Sequence, residues 1–451
     1  MSLDTFNTTV QNAFDAVSAR VNGHAAGPLH TQRKAGLSAF TLQGAPTTRH
    51  EEWKYTNVLP FIGLAFSSDV DKNEDSLLTI NDVTSSMFGL HEALEGGWMV
   101  TIVNGRFEPD LSTVPMHVPG LRIEALTDEL VASDSSVSAA LGSLAPVDGH
   151  PFVAVNTALT HQGVVIRLDA DISIMRTIHV AIVNDVRSHD VLSTPRILVL
   201  ARARSSAEIV ESHHTIGDHT ALDLSVAECV LGPESVIRYT KIVDDTPSSN
   251  LKNISSIAAS VEHGSRFTAF SISLGASFVR NDLLVQLLEP ASEAYLYGAS
   301  VLNGKEYADN HTVVDHTVHH CHSEELYKGL YDGSSTGVFN GKIYVRPQAQ
   351  KTTAYQSNHT ILLSDKAQVN AKPQLEIWAD DVKCSHGATS GQLNEEAIFY
   401  LRSRGIDADK ARALMTYAFV AEVMEHMEHE SLRIHCEQRI AAKLGAEPFS
   451  L

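Results

Sequence analysis

The segments FTAFSISL at residues 267–274, AYLYGASV at 294–301 and VFNGKIYV at 338–345 are short and rich in β-branched and aromatic residues. Similar runs, separated by turn residues, recur between about residues 151 and 390, where almost no helical periodicity is visible. Many short strands in one long stretch indicate a sandwich or a solenoid such as a β-helix. No motif repeats at a fixed period, so a solenoid is inferred only from the length of the stretch and the brevity of its strands. The other predicted strands are 177–183, 197–200, 236–243 and 360–363.

The residues on both sides of this stretch follow a helical pattern. The apolar positions of the first predicted helix are spaced by three and four residues, at Phe6, Val10, Phe14, Val17 and Val21. After Gly391 the helical period returns, with helices predicted at 393–404, after a cap at Asp407, and after a cap at Ser431. The tail is apolar on more than one side, so the core or a partner must cover it.

We therefore predict three regions. Residues 1–150 form a helical and mixed N-terminal region with one strand near 98–103. Residues 151–390 form the β core, and residues 391–451 form a C-terminal helical domain. The fold class is mainly β with α-helical ends.

Composition restricts the partners and the compartment. The formal charge of −20 argues against binding to nucleic acid, because a phosphate backbone requires clustered Lys and Arg. The four cysteines are scattered without a CxxC pair, which fits a reducing compartment and neither a disulfide framework nor a four-cysteine cage. The start of the chain lacks a signal-peptide pattern, and no apolar run approaches the roughly 20 residues that span a bilayer. We expect a cytoplasmic protein without a membrane segment.

Cys384 and His386 form the first candidate site, in the segment DVKCSHG at 381–387. In an extended strand they face the same side, about 6.6 Å apart. A thiolate and an imidazole suit iron or zinc, but two ligands do not make a stable cage, so a partner or another part of the chain must complete any metal site. The alternative is a buried structural cysteine beside a hydrogen-bonded histidine.

A second candidate is the histidine-rich run from His311 to His322. On one strand His316, His320 and His322 would share a face, which could load a metal ion. Histidines that are satisfied within a β surface, or that face solvent, are the alternative.

Three other patterns fail on spacing. Neither Gly298–Lys305 nor Gly337–Lys342 reads GxxxxGK[ST], so no phosphate-binding loop of that kind is encoded. If ATP matters, we expect another chain to bind it. The Glu- and His-rich segment 422–430 lacks the order HExxH and indicates a solvated helix face.

The C-terminal half of the β region resembles the SufB/SufD family. The similarity is nearly continuous over about 80 residues, and WKYT at 53–56 resembles the SufD branch of the family. The matching segments are ELYKG at 325–329, VFNGKI at 338–343, AQKT at 349–352, QSN at 356–358, LLS at 362–364, residues 373–386, GAT at 387–389 and FYLRSRG at 399–405.

This resemblance implies a right-handed parallel β-helix core between helical ends, in a non-enzymatic scaffold for iron–sulfur cluster assembly. It implies pairing with SufB through the core, a transient cluster shared with SufB, and docking of the SufC ATPase on the C-terminal helices. It makes His386 a candidate cluster ligand at the interface and Cys384 a weaker one. The alternatives are a SufB-like paralogue that carries the cluster thiols itself, a homodimer of the isolated chain, and a β-helix enzyme acting on polysaccharide.

Overall fold

A computed structural model of the chain describes residues 3–20, 27–67, 78–115, 117–160, 162–245 and 250–445. Val21 of the predicted first helix lies outside these residues. Successive strands alternate between two ten-stranded sheets, and nearly all neighbouring strands are parallel, so the chain winds as a β-solenoid. The predicted parallel β-helix core with helical ends is confirmed.

The helices lie before, beside and after the solenoid. Their bounds are α1 Leu3–Arg20, α2 Pro28–Gln43, α3 Leu59–Ile62, α4 Ile80–Ser85, α5 Leu90–Ala93, α6 Asp128–Ser133, α7 Ser135–Ala140, α8 Pro151–Leu159, α9 Glu395–Ser403, α10 Ala408–Met424 and α11 Glu430–Lys443. None of these helices is both long and apolar enough to cross a membrane.

The strands of the first sheet, in spatial order, are β2 Arg106–Phe107, β1 Trp98–Val103, β5 Ile178–Asp185, β8 Ser206–Ile216, β10 Val236–Val243, β12 Arg266–Ser273, β14 Glu293–Leu302, β16 His322–Tyr331, β18 Thr353–Leu362 and β20 Lys383–Gly391. Those of the second sheet are β19 Gln368–Ile377, β17 Thr336–Val345, β15 Tyr307–His316, β13 Phe278–Leu287, β11 Asn250–Val261, β9 Thr220–Leu231, β7 Arg196–Ala201, β4 Gly163–Leu168 and β3 Leu121–Leu126, with β6 Val191–Ser193 beside β9.

Each predicted strand corresponds to an observed one, but the repeat that was invisible in the sequence is a stacking period. Side chains that meet on neighbouring coils lie 29 to 31 residues apart along the chain, as in the pairs Asn281–Asn310 and Glu325–Gln356. The turns vary in length and composition, so this period leaves no fixed motif in the sequence.

The interior of the solenoid is filled by alternate residues of every strand, including Ile182, Ile237 and Val285. Glycines open space for large side chains of neighbouring strands. A Cβ added at Gly298 would lie 2.1 Å from the Tyr327 ring, and one added at Gly337 would lie 2.0 Å from the Tyr331 ring. These glycines therefore serve packing rather than phosphate binding.

The two ends of the solenoid differ. At the N-terminal end, the antiparallel strands β2 and β3 terminate the two sheets. Helix α8 packs against the second sheet there, where the Asn156 amide donates 2.7 Å to the Leu224 carbonyl of β9. At the C-terminal end, β20 and β19 terminate the sheets, and no described strand pairs with their outer edges.

The C-terminal helices pack on the outer face of the first sheet. Val420, Val423 and Met424 of α10 are buried in one apolar cluster with Phe270 and Tyr297 of the sheet. The core therefore covers much of the multi-sided apolar tail, while Phe399 and Tyr400 of α9 remain 71% and 57% exposed.

Two local predictions were wrong. Residues 151–159, predicted as part of the β core, form helix α8, because Pro151 stands at its first turn and its apolar side chains are buried by neighbouring elements. Ser431 does not cap the last helix. His429 does, by accepting a hydrogen bond from the Leu432 amide at 3.1 Å. Asp407 caps α10, as predicted.

We expect Gly337→Ala to lower the free energy of unfolding by about 1–3 kcal/mol, because the added methyl group overlaps the buried Tyr331 ring. Urea denaturation measures this change. Gly391→Ala is the matched control, since a Cβ at Gly391 meets nothing within 4 Å. Equal stabilities for the two variants would contradict the packing role of Gly337.

Candidate functional site

The C-terminal end of the solenoid presents an exposed strand edge. β20 pairs with β18 from Lys383, opposite Thr353, to Gly391, opposite Ile361. Its other edge carries no strand within the part of the chain that the structure describes. Natural proteins usually cover or shorten such edges, because the free amide and carbonyl groups can pair with another chain. This edge is therefore a surface suited to strand pairing.

Cys384 and His386 both lie on β20, on the side that continues the interior of the solenoid. The Cys384 side chain is half-buried against the interior apolar cluster, and burial raises the pKa of its thiol. His386 is exposed. The structure thus offers an accessible imidazole and a shielded, protonated thiol, which favours His386 as the metal ligand of the two.

The structure describes no complete metal site. Among the described residues, no group of three or more His, Cys, Asp or Glu side chains is arranged to hold an ion. An exposed imidazole at a strand edge can supply one bond to a metal ion or cluster whose other ligands come from elsewhere.

The polar side chains next to His386 inside the solenoid were not singled out in the sequence. Gln356 of β18 stands in register with His386, and Glu325 of β16 stands in register with Gln356. The Gln356 Nε2 donates to Glu325 Oε1 at 3.2 Å, and the Thr312 hydroxyl donates to Glu325 Oε2 at 2.5 Å. Burial raises the pKa of the Glu325 carboxyl to about 7.

Further buried polar groups continue inward from this point. The Lys241 ammonium donates 2.6 Å hydrogen bonds to Asn253 and Asn281, and Asn281 donates to Asn310 at 2.8 Å. Burial lowers the pKa of Lys241 to about 8. One half of the interior is thus polar and hydrogen-bonded, and the half lined by Ile182, Ile237 and Val285 is apolar.

The sequence signal at 49–56 corresponds to a clamp on the outer face of the second sheet. The Arg280 guanidinium of β13 lies 3.6 Å from the centre of the Trp53 ring, and the Thr56 hydroxyl donates to Asp309 of β15 at 2.6 Å. Glu52 pairs with Lys342 of β17.

The clamp reaches the last coil, because Glu51 pairs with Lys372 of β19. The hydrogen bond from His311 and the Lys342 ammonium lower the pKa of Glu52 to about 2, so this carboxylate stays charged. The N-terminal segment therefore holds together the coils nearest the exposed edge.

The histidine-rich run does not form one strand, so the predicted shared face is wrong. His311 and His316 lie on β15, a turn follows, and His322 begins β16. His311 contacts Asp309 Oδ1 at 2.9 Å, while His316 Nε2 lies 2.8 Å from the Ser323 hydroxyl inside the solenoid. Only His319 and His320 are exposed side by side, with their Nδ1 atoms 2.8 Å apart. This outcome matches the alternative of satisfied and solvent-facing histidines.

The segment 422–430 also serves packing. Glu422 pairs with Lys328, Glu428 pairs with Arg238, and the His426 ring stacks on Tyr297 with ring centres 4.2 Å apart. These contacts attach the junction of α10 and α11 to the first sheet.

Fold and site together define a class of protein: a parallel β-solenoid with a helical domain on one sheet and one exposed end that carries a single accessible imidazole. Residues 183–419 match the family described as SUF system FeS cluster assembly, SufBD core domain, and residues 5–180 match the SufBD protein N-terminal region. The chain belongs to the SufBD family of iron–sulfur cluster assembly proteins.

Relatives extend over nearly the whole chain. The chain is 27% identical over 434 residues to an iron–sulfur cluster assembly SufBD family protein of Synechocystis, covering 94% of this chain and 93% of the relative. It is 28% identical over 431 residues to the iron–sulfur cluster assembly protein SufD of Escherichia coli, covering 92% of each. It is 30% identical over 257 residues to the chloroplastic protein ABCI7 of Arabidopsis thaliana, covering 56% of this chain and 53% of that one.

We expect Glu325→Gln to change the pH dependence of stability. Since burial raises the Glu325 pKa from 4.5 to about 7, the neutral carboxyl stabilises the fold fully below pH 4.5, and this contribution is lost as the pH rises through 7. An uncharged glutamine avoids the loss, which is on the order of 3 kcal/mol at most above pH 7.

Urea denaturation of wild type and variant between pH 5 and 8 measures the difference. Glu324→Gln, on the same strand with its side chain on the outer side, is the control. A wild type and Glu325→Gln variant whose stabilities change in parallel with pH would contradict a buried carboxyl that titrates near neutrality.

Proposed function

We propose that the chain is a non-enzymatic scaffold subunit that supplies one side of a nascent iron–sulfur cluster site. The observation that carries the proposal is the asymmetry of the solenoid ends. One end is terminated by antiparallel strands, whereas the other exposes β20 with His386 on it. The family membership assigns the process, and the exposed edge indicates how this chain contributes to it.

The partner at this edge is a SufB chain in our proposal. WKYT at 53–56 resembles the SufD branch, and one of the relatives that match nearly the full chain is named SufD. A SufD-type chain supplies the imidazole of His386, and the SufB chain supplies thiolates. All four cysteines of this chain are free and three are buried, as suits a structural role in a reducing compartment such as the cytoplasm.

The chemistry of the edge suits a cluster that is built and then passed on. A cage of four thiolates retains its cluster, whereas a shell completed across two chains opens when the chains separate. The cluster is then cargo, and this chain contributes a single neutral ligand to it. Cys384 is the weaker candidate, because its thiol packs against the interior cluster.

The ATPase SufC is the proposed partner of the C-terminal domain. Helix α9 exposes Phe399 and Tyr400 side by side, and large exposed aromatic side chains favour protein interfaces. The spacing of the glycine–lysine pairs excludes a GxxxxGK[ST] loop in this chain, so ATP binding is assigned to the partner.

We expect His386→Ala to lower the iron and acid-labile sulfide of the complex purified with SufB and SufC several-fold, because the cluster loses a ligand. Cys384→Ser is the matched comparison on the same strand, and we expect it to change the content little. Anaerobic purification followed by iron and sulfide assays measures both.

The same preparations distinguish the alternatives. An unchanged cluster content in the His386→Ala complex would overturn the ligand role of His386. A cluster that is retained by this chain alone would instead support the SufB-like alternative. A chain that self-associates through β20 and refuses SufB would favour a homodimer as the working form.

We expect Phe399→Asp to weaken co-purification with SufC while leaving the association with SufB intact, because a charge replaces an exposed anchor at the interface. Leu42→Asp is the control, since Leu42 is 87% exposed on α2, away from the C-terminal helices. Pull-down with tagged SufC measures the difference, and undiminished binding would contradict docking on α9.

A further inference from the structure

Gln356 carries an unusual vacancy next to the exposed edge. Its side chain is 1% exposed, yet its carbonyl oxygen Oε1 has no hydrogen-bond partner among the residues that the structure describes. A buried acceptor without a partner costs about 1–3 kcal/mol. A native site that keeps such a group requires an explanation, and a donor that arrives later is one.

The orientation of the Gln356 amide is set from the opposite side. Its Nε2 donates to Glu325 Oε1, and Glu325 Oε2 is occupied by the Thr312 hydroxyl. Gly341 provides the space for this amide, because a Cβ at that position would lie 2.4 Å from Gln356 Nε2. With the nitrogen committed to Glu325, the oxygen is the end that remains available.

The next residue along the stack is His386. Gln356 and His386 are register partners on β18 and β20, which places their backbones about 4.8 Å apart with both side chains on the inner side. A histidine that binds a metal almost always donates its other ring N–H to an oxygen acceptor, which selects the tautomer and the ring orientation.

We propose that Gln356 Oε1 accepts the ring N–H of His386 when a metal ion or cluster binds there, and that Glu325 holds the Gln356 amide in the orientation that permits this. Gln356 is thus a positioning residue and Glu325 supports it. The proposal rests on the proposed function, because it assumes that His386 is a ligand.

The test uses the complex purified with SufB and SufC, stripped of metal and titrated anaerobically with Co²⁺ alone as a spectroscopic substitute for Fe²⁺. The His386→Ala complex defines which part of the visible absorption depends on His386. Gln356→Met keeps the length of the side chain and removes the acceptor. We expect it to raise the Co²⁺ concentration for half-saturation of the His386-dependent absorption about 10-fold.

Three further variants separate positioning from folding. Gln374→Met removes an amide on β19 that also has an unpartnered oxygen but lies on the outer side, and we expect no change in half-saturation. The exchange Glu325→Gln with Gln356→Glu retains the hydrogen bond and an acceptor oxygen, and we expect it to restore binding. Gln356→Met in the His386→Ala background should have no further effect on Co²⁺ binding or on cluster content.

The outcomes distinguish the two proposals. If His386→Ala changes neither Co²⁺ binding nor cluster content, the ligand role fails and the positioning role fails with it. If His386→Ala lowers both while Gln356→Met changes neither, only the positioning role is overturned. An equal loss from Gln356→Met with and without His386 would show a structural role and overturn the inference. If Gln356→Met prevents assembly, failure of the exchanged pair to bind like wild type overturns it.

Discussion

The parallel hydrogen-bond register between successive coils is the constraint on which the rest of this structure depends. In-register pairing stacks side chains that are 29 to 31 residues apart in the chain and keeps alternate residues inside. A slip of one residue would exchange the interior apolar residues with the outer ones. The same register brings Glu325, Gln356 and His386 into one row that ends at the exposed edge.

This constraint leaves a solenoid with the problem of its ends, because the last strand of each sheet has unpaired backbone groups. The N-terminal end resolves it with antiparallel strands and α8. The C-terminal end leaves β20 unpaired by any described strand. An edge left unpaired on one side only is the physical basis for assigning the assembly surface to that end.

The N-terminal clamp and the polar interior reinforce that end from its two sides. Outside, the segment around Trp53 attaches to four successive strands of the second sheet through Arg280, Asp309, Lys342 and Lys372. Inside, hydrogen-bonded amides and Glu325 replace apolar packing. Both features make the last coils rigid, which suits a ligand that must meet a second chain in a defined geometry.

The sequence alone determined the local elements, since strand and helix signals depend on neighbouring residues. It located β10 at 236–243, β1 at 98–103 and the Asp407 cap, and it indicated Cys384 and His386 through their motif. Local signals failed for α8 and for the cap at His429, where surrounding contacts decided the outcome. Only the tertiary structure separated the shielded Cys384 from the exposed His386 and placed Gln356 beside the latter. Stacking joins positions about 30 residues apart through turns of unequal length, so no local pattern in the chain records which side chains meet.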